Sequence, residues 1–398
     1  MARVRVPIAF TRIDRWLTGL IVLAVGAAAA LLFMSQRLVA PPRPRISDAK
    51  RASVGLSLGV AEGKVRVVAA AGPARQAGLR EGDTITAIGE TTAPSLAEVT
   101  DRIERAHDGD LVRIEARRSS PGGGETGILA DVKVVVRAVS PEDLGLRFED
   151  VTFRNADGLT LRGWYLPPPA DGLGRAPAIA YGHGPATDRR HWLPVASSVH
   201  QAGFAQLLFD FTGRGESEGE VISMGFHESH DLRAALDFLA ARPEIDPLRL
   251  AIGGRSMGGA AALFLAADDA RVKALVLDSP FADLTELVDR KLASYSTPLV
   301  IFRPMLLSVA GWRAHYAPAS VRPIDAVRKV KVPILLFHGD KDAIVPYADA
   351  LRFKSLSAGP LTLVTLTGLD HDSPRPADYA GRIATFLTQS MPPPRRTP

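Results

Sequence analysis

The sequence predicts an α/β protein: a mostly parallel sheet covered by helices on both faces, preceded by a small β-rich unit and an apolar N-terminal helix. Three observations predict it. Apolar runs at 178–181, 205–210, 248–252, 274–277, 333–337 and 361–365 alternate with amphipathic stretches such as 229–241 and 257–267, which is how strands buried on both faces read. Ahead of them, β-type runs at 54–58, 64–69, 83–88, 111–117 and 132–139 surround one helical stretch, 96–106. Residues 16–34 carry no charge at all.

Length and composition bound the function. The chain has 398 residues, which suits two or three folded units. Apolar residues make up 46% and charged residues 23%, so most of the chain can bury a core. It has no cysteine, which removes disulfides, thiolate metal sites and a cysteine nucleophile, leaving Ser, His and carboxylates as reactive groups. The net charge of +5 is spread over scattered arginines with few aromatics between them, a poor pattern for nucleic acid.

From the N-terminus, a basic arm (1–15) precedes the uncharged run 16–34, which is long enough to cross a hydrocarbon core of roughly 30 Å as a helix. Leu38-Val39-Ala40 before Pro41 is a poor signal-peptide cleavage site, so an uncleaved, single-pass membrane anchor is expected. Basic residues flank the run on both sides; a short arm before a large domain puts the body outside the cytoplasm, on the periplasmic side of a bacterial inner membrane. Residues 35–47, with Pro41-Pro42-Arg43-Pro44, read as a stiff spacer between membrane and domain.

The next unit is expected over 48–138. Ser95 is a good N-cap and Glu98, three residues on, completes a capping box for the helix. Ser119-Ser120-Pro121-Gly122-Gly123-Gly124 reads as a hairpin tip or loop. The stretch Gly72-Pro73-Ala74-Arg75-Gln76-Ala77-Gly78-Leu79-Arg80-Glu81-Gly82-Asp83, with Gly109-Asp110 before a strand, resembles the PDZ domains of HtrA-type and carboxyl-terminal processing proteases. That resemblance implies a groove for protein carboxyl termini. Its carboxylate loop and edge strand would be Gly55, Leu56, Ser57 and Leu58, with helix 96–106 as the opposite wall. A degenerate PDZ that binds nothing is the alternative.

After a linker (139–146), the alternating pattern fills 147–390 and leaves a tail at 391–398. Catalytic groups in such sheets collect at the carboxyl ends of strands. Run 248–252 leads into Gly253-Gly254-Arg255-Ser256-Met257-Gly258-Gly259 and then a helix: a G-x-S-x-G in strand–turn–helix context, where small flanking residues let the chain turn sharply enough to expose a serine. A serine needs a base oriented by a carboxylate. Run 333–337 ends in His338-Gly339-Asp340-Lys341-Asp342-Ala343-Ile344-Val345-Pro346, and the last strand precedes Gly368-Leu369-Asp370-His371-Asp372.

With its order Ser, Asp, His, the unit resembles the α/β-hydrolase superfamily, in wording closest to the esterase and serine-aminopeptidase-like branch. The resemblance implies an eight-stranded sheet, Ser256 as nucleophile, Asp342 as acid and His371 as base, with Asp340 and, less so, Asp278 competing for the acid. His338 reads as structural, and Asp370 and Asp372 as solvated neighbours or tuners of His371. For the oxyanion hole it implies the N–H of Met257 and one from Tyr181-Gly182-His183-Gly184-Pro185-Ala186. The residue after His-Gly is Pro185, which has no N–H, so either Gly184 or Ala186 donates instead or the hole has a single donor and catalysis is weakened.

The turn 210–219 reads as scaffold. His227 and His230 are three residues apart where a zinc helix motif needs four, and no metal or organic cofactor is expected. An apolar insertion at about 284–328, with Ile301, Phe302, Met305 and Trp312, reads as a helical lid or as a helix pair packed on the domain. Three readings stay open: a membrane-anchored serine hydrolase of esters or related acyl bonds with a PDZ recruiting a peptide or partner; a serine aminopeptidase-like peptidase; and a non-catalytic PDZ binding protein with a decayed hydrolase domain.

Overall fold

The computed structural model describes residues 32–36, 38–41, 43, 50–53, 56–70, 72–106, 110–120, 123–133, 135–138, 140–170, 174–294 and 299–392. In the N-terminal unit, β1 (Lys50–Ser53), β2 (Leu56–Ala61), β3 (Lys64–Ala70), α1 (Gly72–Gln76), β4 (Thr84–Ile88), β5 (Thr91–Thr92), α2 (Leu96–Glu104), β6 (Leu111–Ser119), β7 (Glu125–Lys133) and β8 (Val135–Ala138) follow in order. The main sheet runs β2-β3-β4-β6-β7 with β5 on β4, and β1 pairs separately with β8. Ser95 caps α2 through the expected box with Glu98, and the predicted hairpin tip joins β6 to β7. Val99 and Ile103 of α2 pack on Val65, Ile85, Val112 and Val132 of the sheet. Edge strand β2 lies beside α2, and a 3₁₀ turn, Pro141–Leu144, packs against β2 and β3 on one side and the next domain on the other.

The second domain comprises β9 (Glu149–Arg154), β10 (Thr160–Leu166), β11 (Ala176–Gly182), α3 (Leu193–Gln201), β12 (Ala205–Phe209), α4 (Phe226–Ala240), β13 (Ile245–Arg255), α5 (Met257–Asp268), β14 (Val272–Asp278), α6 (Leu284–Ala293), α7 (Arg303–Ala314), α8 (Pro323–Ala326), β15 (Ile334–Gly339), α9 (Tyr347–Leu356), β16 (Leu361–Leu366) and α10 (Tyr379–Ser390). The sheet has eight strands in the order β9-β10-β12-β11-β13-β14-β15-β16. It is mixed, which corrects the expectation of a mostly parallel one. β9 and β10 form an antiparallel hairpin, closed by the turn in which Asn155 Oδ1 accepts from the N–H groups of Asp157 and Leu159. β10 then meets β12 antiparallel, and the other joins are parallel. Two cores lie on the two faces, one centred on Leu236, Leu263 and Leu277, the other on Trp192, Val276 and Ile383.

The described part of the expected spacer is docked on the hydrolase domain. Pro41 O accepts from Arg214 Nη2 at 2.9 Å, while Arg43 donates to the carbonyls of Gly215 and Gly219 at 2.8 and 3.2 Å, and to those of Arg214 and Ser217. Arginine, with five donors in a planar fork, suits such a cluster of carbonyls. Just before it, Val39 is buried against Ala310 and Ala314 of α7. No described helix is long and apolar enough to cross a membrane. Of the predicted span only 32–34 are described, as helix running to residue 36; the rest lies outside the described residues.

Candidate active site

β13 runs straight into Ser256, which sits at φ 50°, ψ −114° immediately before α5. A non-glycine residue in that region is strained, and it holds only where its surroundings over-determine it. Here they do: the Ser256 N–H donates to Asp278 O at 2.9 Å, and Ser256 O accepts from Ala260 N–H at 3.0 Å. The flanking glycines are required by close approach. A Cβ on Gly258 would stand 2.3 Å from Gly182 O, and one on Gly254 2.3 Å from Gly258 O.

The acid and the base are brought together from two loops. His371 Nδ1 and Asp342 Oδ2 are 2.7 Å apart. The other oxygen of Asp342 accepts from the N–H groups of Ile344 and Val345 at 2.9 and 2.7 Å, which fixes the carboxylate's orientation. Asp340 does something else: its Oδ1 accepts from Gly368 N–H at 2.6 Å, tying the two loops at their base. Asp370 ties them again, accepting from Ala343 N–H and His371 N–H at 2.8 and 2.7 Å. Exposed as a solvated neighbour of His371 would be, it is a structural link as well. His338 Nε2 bonds to Val345 O at 2.9 Å, and burial pushes its pKa down.

Asp278 is not beside the base. Its buried carboxylate takes Arg375 at 2.8 and 2.7 Å and the Tyr379 hydroxyl at 2.8 Å. Burial alone would raise its pKa, but Arg375, with Arg255 nearby, outweighs this and holds it below the usual carboxylate range. The same two arginines reach the base: Arg255 Nη2 and Arg375 Nη2 donate to His371 O at 2.5 and 3.1 Å, and Arg255 also bonds Asp372 at 2.7 Å. This network around the His371 backbone was not foreseen. The only local signal was an arginine beside the serine of G-x-S-x-G.

The loop after β11 lies over the serine, since a Cβ on Gly184 would be 3.9 Å from Ser256 Cβ. Gly184 N–H donates to Thr187 Oγ1 at 3.1 Å, so that candidate donor is already engaged. Buried His183 holds the loop: its Nε2 accepts from Phe211 N–H at 3.1 Å and its Nδ1–H donates to Gly184 O at 2.8 Å. Burial depresses its pKa, in keeping with the neutral ring this requires. Met257 opens α5 with its N–H at the helix start, where orphan donors favour negative charge. Ala186 follows Pro185, whose carbonyl accepts from Arg214 at 2.9 Å.

The turn 210–219 is a scaffold: Asp210 accepts from Arg189 N–H and Nη1 and from Glu216 N–H. His227 Nε2 bonds to Ala314 O at 2.9 Å, fastening α4 to the insertion. A cavity of about 310 Å³ lies behind the His371 loop, bordered by Phe337, Leu366, Leu369, Pro374, Tyr379 and Arg382. In the PDZ-like unit Leu56 and Leu58 are half-buried against its core, and Gly55 lies outside the described residues.

Known proteins bear on this geometry. The prolyl oligopeptidase family matches residues 196–386 and the PDZ domain matches 52–134. An uncharacterised protein of Mycobacterium tuberculosis is 33% identical over 244 residues, 61% of this chain and 79% of its own length. The chain belongs to the α/β-hydrolase superfamily. The α/β hydrolase domain-containing protein WAV2 of Arabidopsis thaliana is 26% identical over 52% of this α/β-hydrolase chain and 66% of its own. Among solved structures, a Pyrococcus furiosus esterase aligns with TM-score 0.52 at 23% identity, covering 65% of this chain and 98% of the esterase; that likeness is one of fold. The chain is therefore a serine hydrolase, and its N-terminal unit is a PDZ domain.

Proposed function

We propose that this hydrolase is anchored to a membrane by residues 16–34, with its body outside the cytoplasm, and cleaves an ester or related acyl bond through an acyl-enzyme. The 2.7 Å contact between Asp342 and His371 supports the reading above all, beside a serine on a strained strand-to-helix turn. Ser256 Oγ attacks the carbonyl carbon and its proton passes to His371 Nε2. The imidazolium that forms is steadied by Asp342, which keeps the proton on Nδ1 and the ring in one orientation. The oxyanion is met by the N–H of Met257 and, because Gly184 is engaged and Pro185 has none, by that of Ala186. His371 then protonates the leaving group, and water repeats the sequence to release the acid.

The PDZ domain serves recruitment: holding a protein's carboxyl terminus on the same chain raises its concentration near Ser256 to about millimolar on a short linker. A peptidase is the second reading, favoured by the match to the prolyl oligopeptidase family. A fluorophosphonate probe tests the chemistry. Covalent capture of the wild type, lost on Ser256→Ala, is the expected result; capture at another residue overturns the assignment. Turnover of p-nitrophenyl esters but not aminoacyl amides supports the esterase, and the reverse preference the peptidase.

A further inference from the structure

Large apolar side chains are left in water on one side of the hydrolase domain. On α7, Leu306, Leu307, Ala310, Gly311 and Ala314 face inward, while Met305 and Trp312, seven residues apart and so on one face, point out. Trp312 is 75% exposed, and Ile301, just before the helix, 72%. Isolated exposed apolar residues are ordinary, but a concentration of them is characteristic of an interaction surface.

The segment that leads out of the uncharged run meets this helix. Residues 32–36 are helical, with Leu32 half exposed. Arg313 of α7 donates to Gln36 Oε1, and Val39 packs on Ala310 and Ala314. Leu32 and Gln36 are one turn apart, about 6 Å along the axis. If Leu32 ends a membrane span, Gln36 falls in the headgroup layer, and α7, touching it through Arg313, lies at that depth. Tryptophan favours this layer, and although Arg303 of α7 is paired with Asp289, Arg313, bonded among the described residues only to the neutral amide of Gln36, carries a charge that suits anionic lipid.

We infer that the outward face of α7, with Ile301, Met305 and Trp312, rests in the headgroup–acyl boundary of the bilayer beside the anchor, so that the insertion is a lipid-facing surface of the hydrolase. The inference rests on the reading of residues 16–34 as an anchor, and the test separates the two.

Because the chain lacks cysteine, single nitroxide labels can be placed on the full-length protein as Ala27→Cys in the uncharged run, Ser308→Cys on the outward face of α7 and Ser355→Cys on the exposed face of α9. The proteins are reconstituted in nanodiscs of phosphatidylcholine and phosphatidylglycerol at four to one. Power saturation then compares accessibility to oxygen and to a nickel chelate. Label 27 should be strongly oxygen-rich, label 355 nickel-rich, and label 308 several-fold more accessible to oxygen than to nickel. Adding Met305→Glu and Trp312→Glu should move label 308 towards the value at 355. A lipid signal at 27 with an aqueous one at 308 overturns the inference and leaves the anchor standing; an aqueous signal at both overturns the anchor and the inference with it. Exclusion of both reagents from 308 also overturns it, in favour of cover by protein, and spin–spin broadening at 308 does so in favour of a second copy of the chain.

Discussion

The PDZ domain and the hydrolase domain handle charge differently. Strand β6 of the first alternates exposed and buried residues, and its pairs Arg113–Asp131 and Arg117–Glu125 stand in solvent. In the second, β12 and β15 are buried throughout, and carboxylates at or beyond strand ends, Asp210, Asp278 and Asp342, are buried with cationic or imidazole partners. A binding groove works with backbone at a sheet edge and can leave its charges wet. Catalysis by a weakly acidic hydroxyl needs oriented, desolvated groups, and removing one partner of such a set is costly. Substitutions at buried hydrolase charges should therefore cost far more than those in the PDZ domain.

The largest effect is expected at Ser256. Ser256→Ala should lower kcat for a small ester by on the order of 10³-fold or more, with far-UV circular dichroism unchanged. Because φ is +50° there, Ser256→Gly should be equally inactive yet melt at a higher temperature than the alanine variant, glycine bearing that φ without strain; equal melting temperatures would show the turn is relaxed. Next comes the acid. Asp342→Asn should cost about 10²- to 10⁴-fold in kcat, whereas Asp340→Asn, whose amide oxygen can still accept from Gly368 N–H, should stay within about tenfold. The reverse ranking would make Asp340 the orienting acid.

Arg375→Met probes the buried network on stability. It leaves Asp278 charged, buried and short of its bidentate partner, a loss of about 3–5 kcal/mol by denaturant unfolding. It should also reduce kcat, because His371 O loses one of its two donors; a stability loss with unchanged kcat would show that Arg255 alone holds the base.

What the sequence made legible follows the range of the interactions. The turn around Ser256 is encoded within seven residues, and the loops bearing Asp342 and His371 carry local patterns, so all three were candidates before the fold was known. The capping box of α2 was likewise local. Arg375 meets Asp278 from 97 residues away and Arg255 meets His371 from 116, and nothing in their spacing announces it. The docking of Arg43 on the carbonyls of 214–219 is equally long-range, and carbonyls leave no mark in a sequence. β9 and β10 escaped notice because β9 is an edge strand with four exposed residues in six and lacks the apolar run by which the inner strands were recognised.

A smaller, pH-dependent effect is expected at His191. Burial, with Arg255 beside it, pushes its pKa down to about 3, against about 6.5 in the unfolded chain. Between those values the unfolded state binds a proton that the native state does not. Stability therefore rises with pH through that window and is lost on acidification below about 6.5. His191→Gln should remove its share of this dependence, to which buried His183 and His338 add theirs, flattening the change in unfolding free energy between pH 7 and 5 by about 1–2 kcal/mol. An unchanged slope would mean that His191 is protonated no less readily in the native state.

The smallest effects belong to the PDZ sheet, where two arginine–aspartate pairs sharpen the contrast within one domain. Arg113 and Asp131 are both about half exposed, so water replaces the pair at little cost, and Arg113→Ala should move the PDZ melting transition by less than about 2 °C. Arg118 bonds both oxygens of Asp83, whose side chain is fully buried. Removing it leaves a carboxylate inside the domain with Arg80 N–H as its remaining donor, so Arg118→Ala should lower the same transition by clearly more. Neither variant touches the hydrolase sheet, and small-ester turnover should stay within twofold of wild type in both. Equal melting shifts would show that burial of the acid, not the presence of an ion pair, was wrongly taken as the deciding variable. A drop in ester turnover with Arg118→Ala alone would show instead that the PDZ domain transmits its stability to the catalytic loops, for which the turn Pro141–Leu144, wedged between the two domains, is the connection to test next.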